Sequence, residues 1–254
     1  MAKIRVITPV HSLPKAFADN ILKELVHLEK FGLEFDNVFI TAGPNSIECH
    51  FDEALSVPYT VAAIIEAEKA GIDACIINCM GDPGLQAARE VVSIPVMGPC
   101  EASMHAAAMM GHKFSVVTVL DSVRPMFLRN ADAYGLGSKL ASVRVVNVPV
   151  LDIGADESHL VKLIAREAID TVQRDHADCV ILGCTGFLGM ADEVEKLLRA
   201  EGFAVPVINP MPTASVMAAA FVQGGFSHSA RAYPAPNRNK QIEGFAIPQW
   251  TAKL

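Results

Sequence analysis

Short apolar runs alternate with longer stretches of amphipathic spacing along most of the chain. Ile4–Thr8, Phe35–Ile40, Ala74–Asn78, Val92–Met97, Phe114–Leu120, Val143–Val148, Cys179–Gly183 and Val205–Asn209 are too short for helices and read as buried strands. Helical spacing over Phe17–Phe31, Thr60–Ala70, Glu101–Met110, Arg124–Tyr134, His159–Arg174 and Ala191–Glu201 predicts the intervening elements. Such alternation favours parallel sheets covered by helices on both faces. Gly32, Gly71, Gly111, Gly135 and Gly202 fall where these helices should end. Beyond Gly225 the periodicity fades, and Tyr233-Pro-Ala-Pro-Asn-Arg-Asn239 reads as part of an extended arm. That arm carries Phe226, Tyr233, Phe245, Ile247 and the one Trp, Trp250, and is expected to pack on a neighbouring subunit of a homo-oligomer.

The pattern repeats itself. Asp73-Ala-Cys-Ile-Ile-Asn-Cys79-Met-Gly81 returns as Asp178-Cys-Val-Ile-Leu-Gly-Cys184-Thr-Gly186. Ile7-Thr8 returns as Val117-Thr118, and Ile94-Pro-Val-Met-Gly-Pro99 as Val205-Pro-Val-Ile-Asn-Pro210, each of the last pair leading into an Ala-rich helix. Three matches in one order at nearly one spacing predict two pseudosymmetric Rossmann-like (flavodoxin-like) α/β domains. The expected division is residues 1–97 plus 210–254 for one domain and 98–209 for the other. Ligands of parallel sheets bind beyond the carboxyl ends of the strands, so two facing halves would put Cys79 and Cys184 on opposite walls of one cleft.

Composition narrows the classes. The chain of 254 residues is 51% hydrophobic and carries 21 Lys+Arg against 28 Asp+Glu, a net charge of −7. That balance, with no basic stripe, argues against nucleic acid. The longest apolar candidate for a membrane span, Ala214–Val222, is too short and runs into Gln223. Lys3 and Arg5 lead straight into a short apolar run without the h-region of a signal peptide, so a cytoplasmic protein with a small-molecule substrate is the expectation.

Six cysteines remain to be explained. Cys75 and Cys79 are separated by four residues of strand, about 13 Å, too far to share one metal. Neither a CxxC pair nor HExxH occurs, so neither a metal nor a disulfide framework is expected. Cys75, Cys179, Cys49 and Cys100 read as small hydrophobes. Cys79 and Cys184 differ, because each ends its strand and enters a turn of small residues that could lead to a helix N-terminus, where a thiolate is favoured. Inversion at carbon by proton transfer needs a base on one face and an acid on the other. Two opposed thiols supply both, and backbone N–H groups of the following turns can hold the oxygen where charge collects. Thr118 at its strand end could bond a substrate or be satisfied by backbone. His11 and His105 read as a loop histidine and a helix histidine, each with the alternative of reaching the cleft.

With those cysteines placed, the chain resembles the Asp/Glu/hydantoin racemase superfamily, in particular its hydantoin and allantoin racemase branch. The resemblance rests on SIECHFDEA (46–54), INCMGDPGLQAAREV (77–91), IPVMGPCEASMHAA (94–107), FSVVT (114–118), LASVRVVNVPVLDI (140–153) and VILGCTG (180–186). It implies a racemase without cofactor, acting at the stereocentre of a hydantoin- or allantoin-like ring, with Cys79 and Cys184 as the acid/base thiols. It also implies Gly81, Asp82, Thr118, Thr185 and Gly186 close to the substrate. The chain departs from the family at Thr8-Pro9-Val10, at Val119 and at Asn209–Thr213. An aspartate/glutamate-type racemase, or a related lyase or isomerase acting on a carboxylate, is the rival reading; it would require clustered cationic or hydroxyl donors in the strand-end loops, and the sequence offers few. A binding protein without catalysis is the third reading, and paired thiols are superfluous to it.

Overall fold

A computed structural model describes residues 1–13, 20–237 and 242–249 of the chain. Eight strands form two sheets of four, all pairings parallel. The first contains β1 (Ala2–Thr8), β2 (Leu33–Phe39), β3 (Ala74–Ile77) and β4 (Val96–Met97), ordered β2-β1-β3-β4. The second contains β5 (Phe114–Thr118), β6 (Leu140–Val145), β7 (Cys179–Leu182) and β8 (Val207–Ile208), ordered β6-β5-β7-β8. The sequence repeat is thus a repeat of topology, and the two pseudosymmetric α/β halves expected from it are present. Every residue of β3, β5 and β7 is buried, which is why these strands are runs of apolar residues and not alternations. The edge strands β4 and β8 are only two residues long, each preceded by a proline, Pro95 or Pro206, that has no N–H to give a ladder.

The helices are α1 (His50–Lys69), α2 (Leu85–Val91), α3 (Pro99–Met110), α4 (Arg124–Ala133), α5 (Glu157–Asp175), α6 (Ala191–Ala200) and α7 (Pro210–Gly224). Helix α1 starts ten residues before the expected Thr60. Its early turns hide behind Pro58 and behind a buried face that includes Ser56 and Thr60. Those hydroxyls return to the carbonyls of Glu53 (2.8 Å) and Ser56 (2.9 Å), so they are buried without any outside partner. The expected helix over 17–31 is instead, in its described part, a short helical turn at 20–23 followed by a 3-10 run, Val26–Phe31. Helices α3 and α7 cross between the halves. Helix α3 follows β4 but packs on β5 and β7; α7 follows β8 but packs on β1, β3 and β4; and the two helices pack on each other.

Asp73 and Asp178, the first residues of the repeated segment, prove structural. Asp73 accepts the Lys3 N–H (2.7 Å), and Asp178 accepts the N–H groups of His112 (2.8 Å) and Lys113 (2.9 Å), so each fixes the neighbouring strand's entry. Gly111 ends α3 as expected, at φ −153°, an ordinary extended value. A Cβ there would lie 2.5 Å from Asp178 Cβ, so close approach is what requires glycine.

The described arm is a strap on its own half. The Val96 N–H donates to His228 Nε2 (2.8 Å), Arg89 Nη1 donates to the Tyr233 hydroxyl (3.2 Å), and Ile247 packs on the first half's core. Of the arm's other large side chains, Phe226 and Phe245 are exposed, and Trp250 lies outside the described residues. Among the described residues no helix is long and apolar enough to cross a membrane.

Candidate active site

The carboxyl ends of β1, β3, β5 and β7 meet around one cavity of about 80 Å³. Thr8 and Val10 follow β1, Asn78 to Gly81 follow β3, Thr118 and Val119 end β5, and Gly183 to Gly186 follow β7. The rest of the wall is mostly apolar, including Val123, Met126 and Phe127, with Asn45 and Ser46 as its further polar residues. Among the described residues no charged side chain lines the cavity.

Cys79 and Cys184 both lie in this wall, each two residues beyond its strand and each half-buried. Their settings match: the Gly81 N–H points to Cys79 Sγ (3.4 Å) and the Gly186 N–H to Cys184 Sγ (3.3 Å). Met80 and Thr185, the residues between, also line the cavity, and their amides donate to nothing among the described residues. Two N–H groups are thereby left for an oxygen. The helix N-termini expected behind the sulfurs are absent from that role, since α2 begins only at Leu85 and α6 only at Ala191. Burial instead pushes the thiols up, Cys79 to about 12 and Cys184 to about 11, with the glycine N–H groups pulling the other way. The charges of Asp82 and Glu53 raise Cys79 further, and that of Glu48 raises Cys184.

Gly81, Thr118, Thr185 and Gly186 all line the cavity. Thr118 Oγ1 gives its proton to the Gly183 carbonyl (2.9 Å), so only its acceptor side is left. Thr185 Oγ1 donates to the Asn78 carbonyl (3.3 Å), tying the two cysteine turns together. Gly183 must be glycine, because a Cβ would sit 2.6 Å from Thr118 Cβ and 2.9 Å from the Val117 carbonyl oxygen.

Asp82 is elsewhere. It is buried and turned from the cavity, at φ +50°. Oδ1 accepts the Cys100 N–H (3.0 Å), while Oδ2 accepts the Glu101 N–H (2.9 Å) and the Tyr134 hydroxyl (2.7 Å). The carboxylate caps α3 and is not a receiver of ring N–H groups. Asn130 Nδ2 also donates to the Gly81 carbonyl (3.1 Å), so α4 holds the Cys79 turn at two points. Across the rim, the Val150 N–H donates to Glu48 Oε1 (2.7 Å) and Arg129 clamps Glu53 (2.7 and 3.1 Å). The sequence gives no periodic signal for Asn130, Tyr134 or Glu48, whose partners lie dozens of positions away. His11 and His105 are exposed, and Cys75, Cys100 and Cys179 are buried. No group of three His, Cys, Asp or Glu among the described residues is arranged to hold a metal ion.

Two like α/β halves thus bring a matched pair of thiols into the wall of one cavity. The sequence profile of the family Asp/Glu/Hydantoin racemase matches residues 20–218, and the chain belongs to that family. It is 34% identical over 259 residues to a hydantoin racemase of Pseudomonas sp. (strain NS671), spanning 99% of this chain and all of that one. An allantoin racemase from Klebsiella pneumoniae superposes with a TM-score of 0.87 at 31% identity, covering 96% of this chain and 97% of that one. A glutamate racemase from Francisella tularensis shares the fold at 16% identity and a TM-score of 0.60, covering 90% and 84%.

Proposed function

We propose that this racemase inverts the stereocentre of a 5-substituted hydantoin- or allantoin-like ring, with Cys79 and Cys184 as the two acid/base groups and no cofactor. The observation that carries the reading is the matched thiol pair in a cavity without a charged lining. A thiolate on one wall takes the proton as the C–H bond breaks, and the electron pair moves into the adjacent carbonyl. Unclaimed amides such as those of Met80 and Thr185 suit the oxygen that becomes negative. The opposite thiol returns a proton to the other face, leaving the two sulfurs with exchanged roles. An uncharged substrate suits the site, because among the described residues no cationic side chain lines the cavity to pair with a carboxylate.

The test is incubation of single enantiomers of 5-methylhydantoin and of allantoin in D2O, followed by NMR and polarimetry against enzyme-free controls. Deuterium at the stereocentre together with loss of rotation is expected, with aspartate and glutamate inert. Turnover of the amino acids and not of the rings would overturn the reading.

A further inference from the structure

Asn78 immediately precedes Cys79, is buried, and lines the cavity. Its Nδ2 donates to Thr8 Oγ1 (3.1 Å), and Thr8 Oγ1 donates to Asn37 Oδ1 (2.6 Å). A hydroxyl has one proton, and that of Thr8 is spent on Asn37; toward Asn78 it can only accept. The chain of bonds therefore turns the NH2 end of Asn78 to Thr8 and leaves Oδ1 over. That oxygen is buried and has no hydrogen-bond partner among the described residues. Buried acceptors are rarely left so, and this one belongs to a residue of the cavity wall, where a ligand can bring the missing donor. The other half has no such group, since Gly183 occupies the equivalent position and Thr118 leaves no space for a Cβ. The carboxamide beside Cys79 thus has no counterpart beside Cys184, which breaks the symmetry of the site.

We infer that the Asn78 carboxamide oxygen accepts a ring N–H of the substrate, and that this bond fixes which way the ring lies between the two thiols and selects amide- or ureide-containing rings over carboxylates. The inference rests on the hydantoin- or allantoin-like reading above and names the residue that recognises the ring nitrogen. A carboxylate oxygen at the same place would face a lone pair, whereas an N–H completes the bond.

The experiment compares kcat/KM of wild type, Asn78→Ala and Thr8→Val on 5-methylhydantoin and its N1-methyl and N3-methyl derivatives. Comparing each substrate across the enzymes cancels differences in C–H acidity. In the wild type, methylation at the bonded nitrogen is expected to cost about tenfold or more, the scale of one lost hydrogen bond with its partner left unpaired. In Asn78→Ala that penalty should shrink to about threefold or less, because the oxygen that senses the proton is gone. Thr8→Val keeps the carboxamide but frees it to rotate, and an intermediate penalty is expected; it also serves if Asn78→Ala fails to fold. A penalty that persists unchanged in both variants, or no penalty in the wild type, overturns the inference. If the wild type racemises none of the rings, the functional reading falls and this inference falls with it.

Discussion

Asp82→Asn isolates what the buried carboxylate beside the Cys79 turn contributes. Burial pushes Asp82 up to about 7, against the pull of the Tyr134 hydroxyl and the Glu101 and Cys100 amides, with the charge of Glu101 pushing it further up. In the unfolded chain an aspartate titrates near ~3.9, so the shift is ~3 units, or on the order of 4 kcal/mol. The folded state holds the proton more tightly than the unfolded one. The stabilisation is therefore fully present below about pH 4 and is lost as pH rises through about 7. An amide at this position keeps an acceptor for the α3 amides, tolerates the positive φ, and does not titrate. Urea unfolding of both proteins from pH 4.5 to 8 gives the difference in stability at each pH. Wild type minus variant should fall with pH, by up to ~4 kcal/mol over the whole window. A difference constant to within ~1 kcal/mol would refute the burial argument, because the other groups that feel Asp82, namely Cys79, Cys100 and Tyr134, are all raised and titrate above this window.

Cys79→Ser and Cys184→Ser should each abolish racemisation without loss of fold, because an alcohol is too weak an acid to supply the base near neutral pH; deuterium exchange should survive for one enantiomer at most, and full racemisation by either variant would remove the two-thiol assignment. Since burial holds both thiols well above neutrality, kcat/KM should climb about tenfold per pH unit between pH 7 and 9, and iodoacetamide inactivation should quicken over the same span; a flat profile would show that the reacting thiolate is already formed at pH 7. Gly183→Ala should cost ~1–3 kcal/mol in thermal or urea unfolding and lower turnover, because the new methyl group overlaps Thr118 and displaces Cys184; wild-type stability would contradict the packing. Truncation after Gly225 should lower stability by ~1–3 kcal/mol through the unpaired Val96 amide and the uncovered Arg89, with the mass by light scattering per subunit count unchanged; a smaller assembly would show that the arm joins subunits.

Local pattern was enough to reveal much of this protein. A buried parallel strand needs an unbroken apolar run, so β1, β3, β5 and β7 stand out along the chain, and the doubled Cys-containing segment announces two like halves. Cys79 and Cys184 were legible because strand ends are where parallel sheets present their chemistry. Other features depended on partners distant in the chain. Helix α1 begins ten residues early, and its buried face carries Ser56 and Thr60, whose hydroxyls are satisfied by their own backbone; hydrophobic periodicity does not register such positions. Asp82 looked like a substrate contact beside a cysteine, but its carboxylate finds the N-terminus of α3 and Tyr134, positions that only the crossover of α3 brings near. The thiols were expected to be acidified by helix termini; the turns are longer than that, and desolvation between the two halves decides their protonation instead. Asn78 carried no signal at all in the sequence. Its unpaired oxygen exists only because Thr8, one strand away, has a single proton and gives it to Asn37.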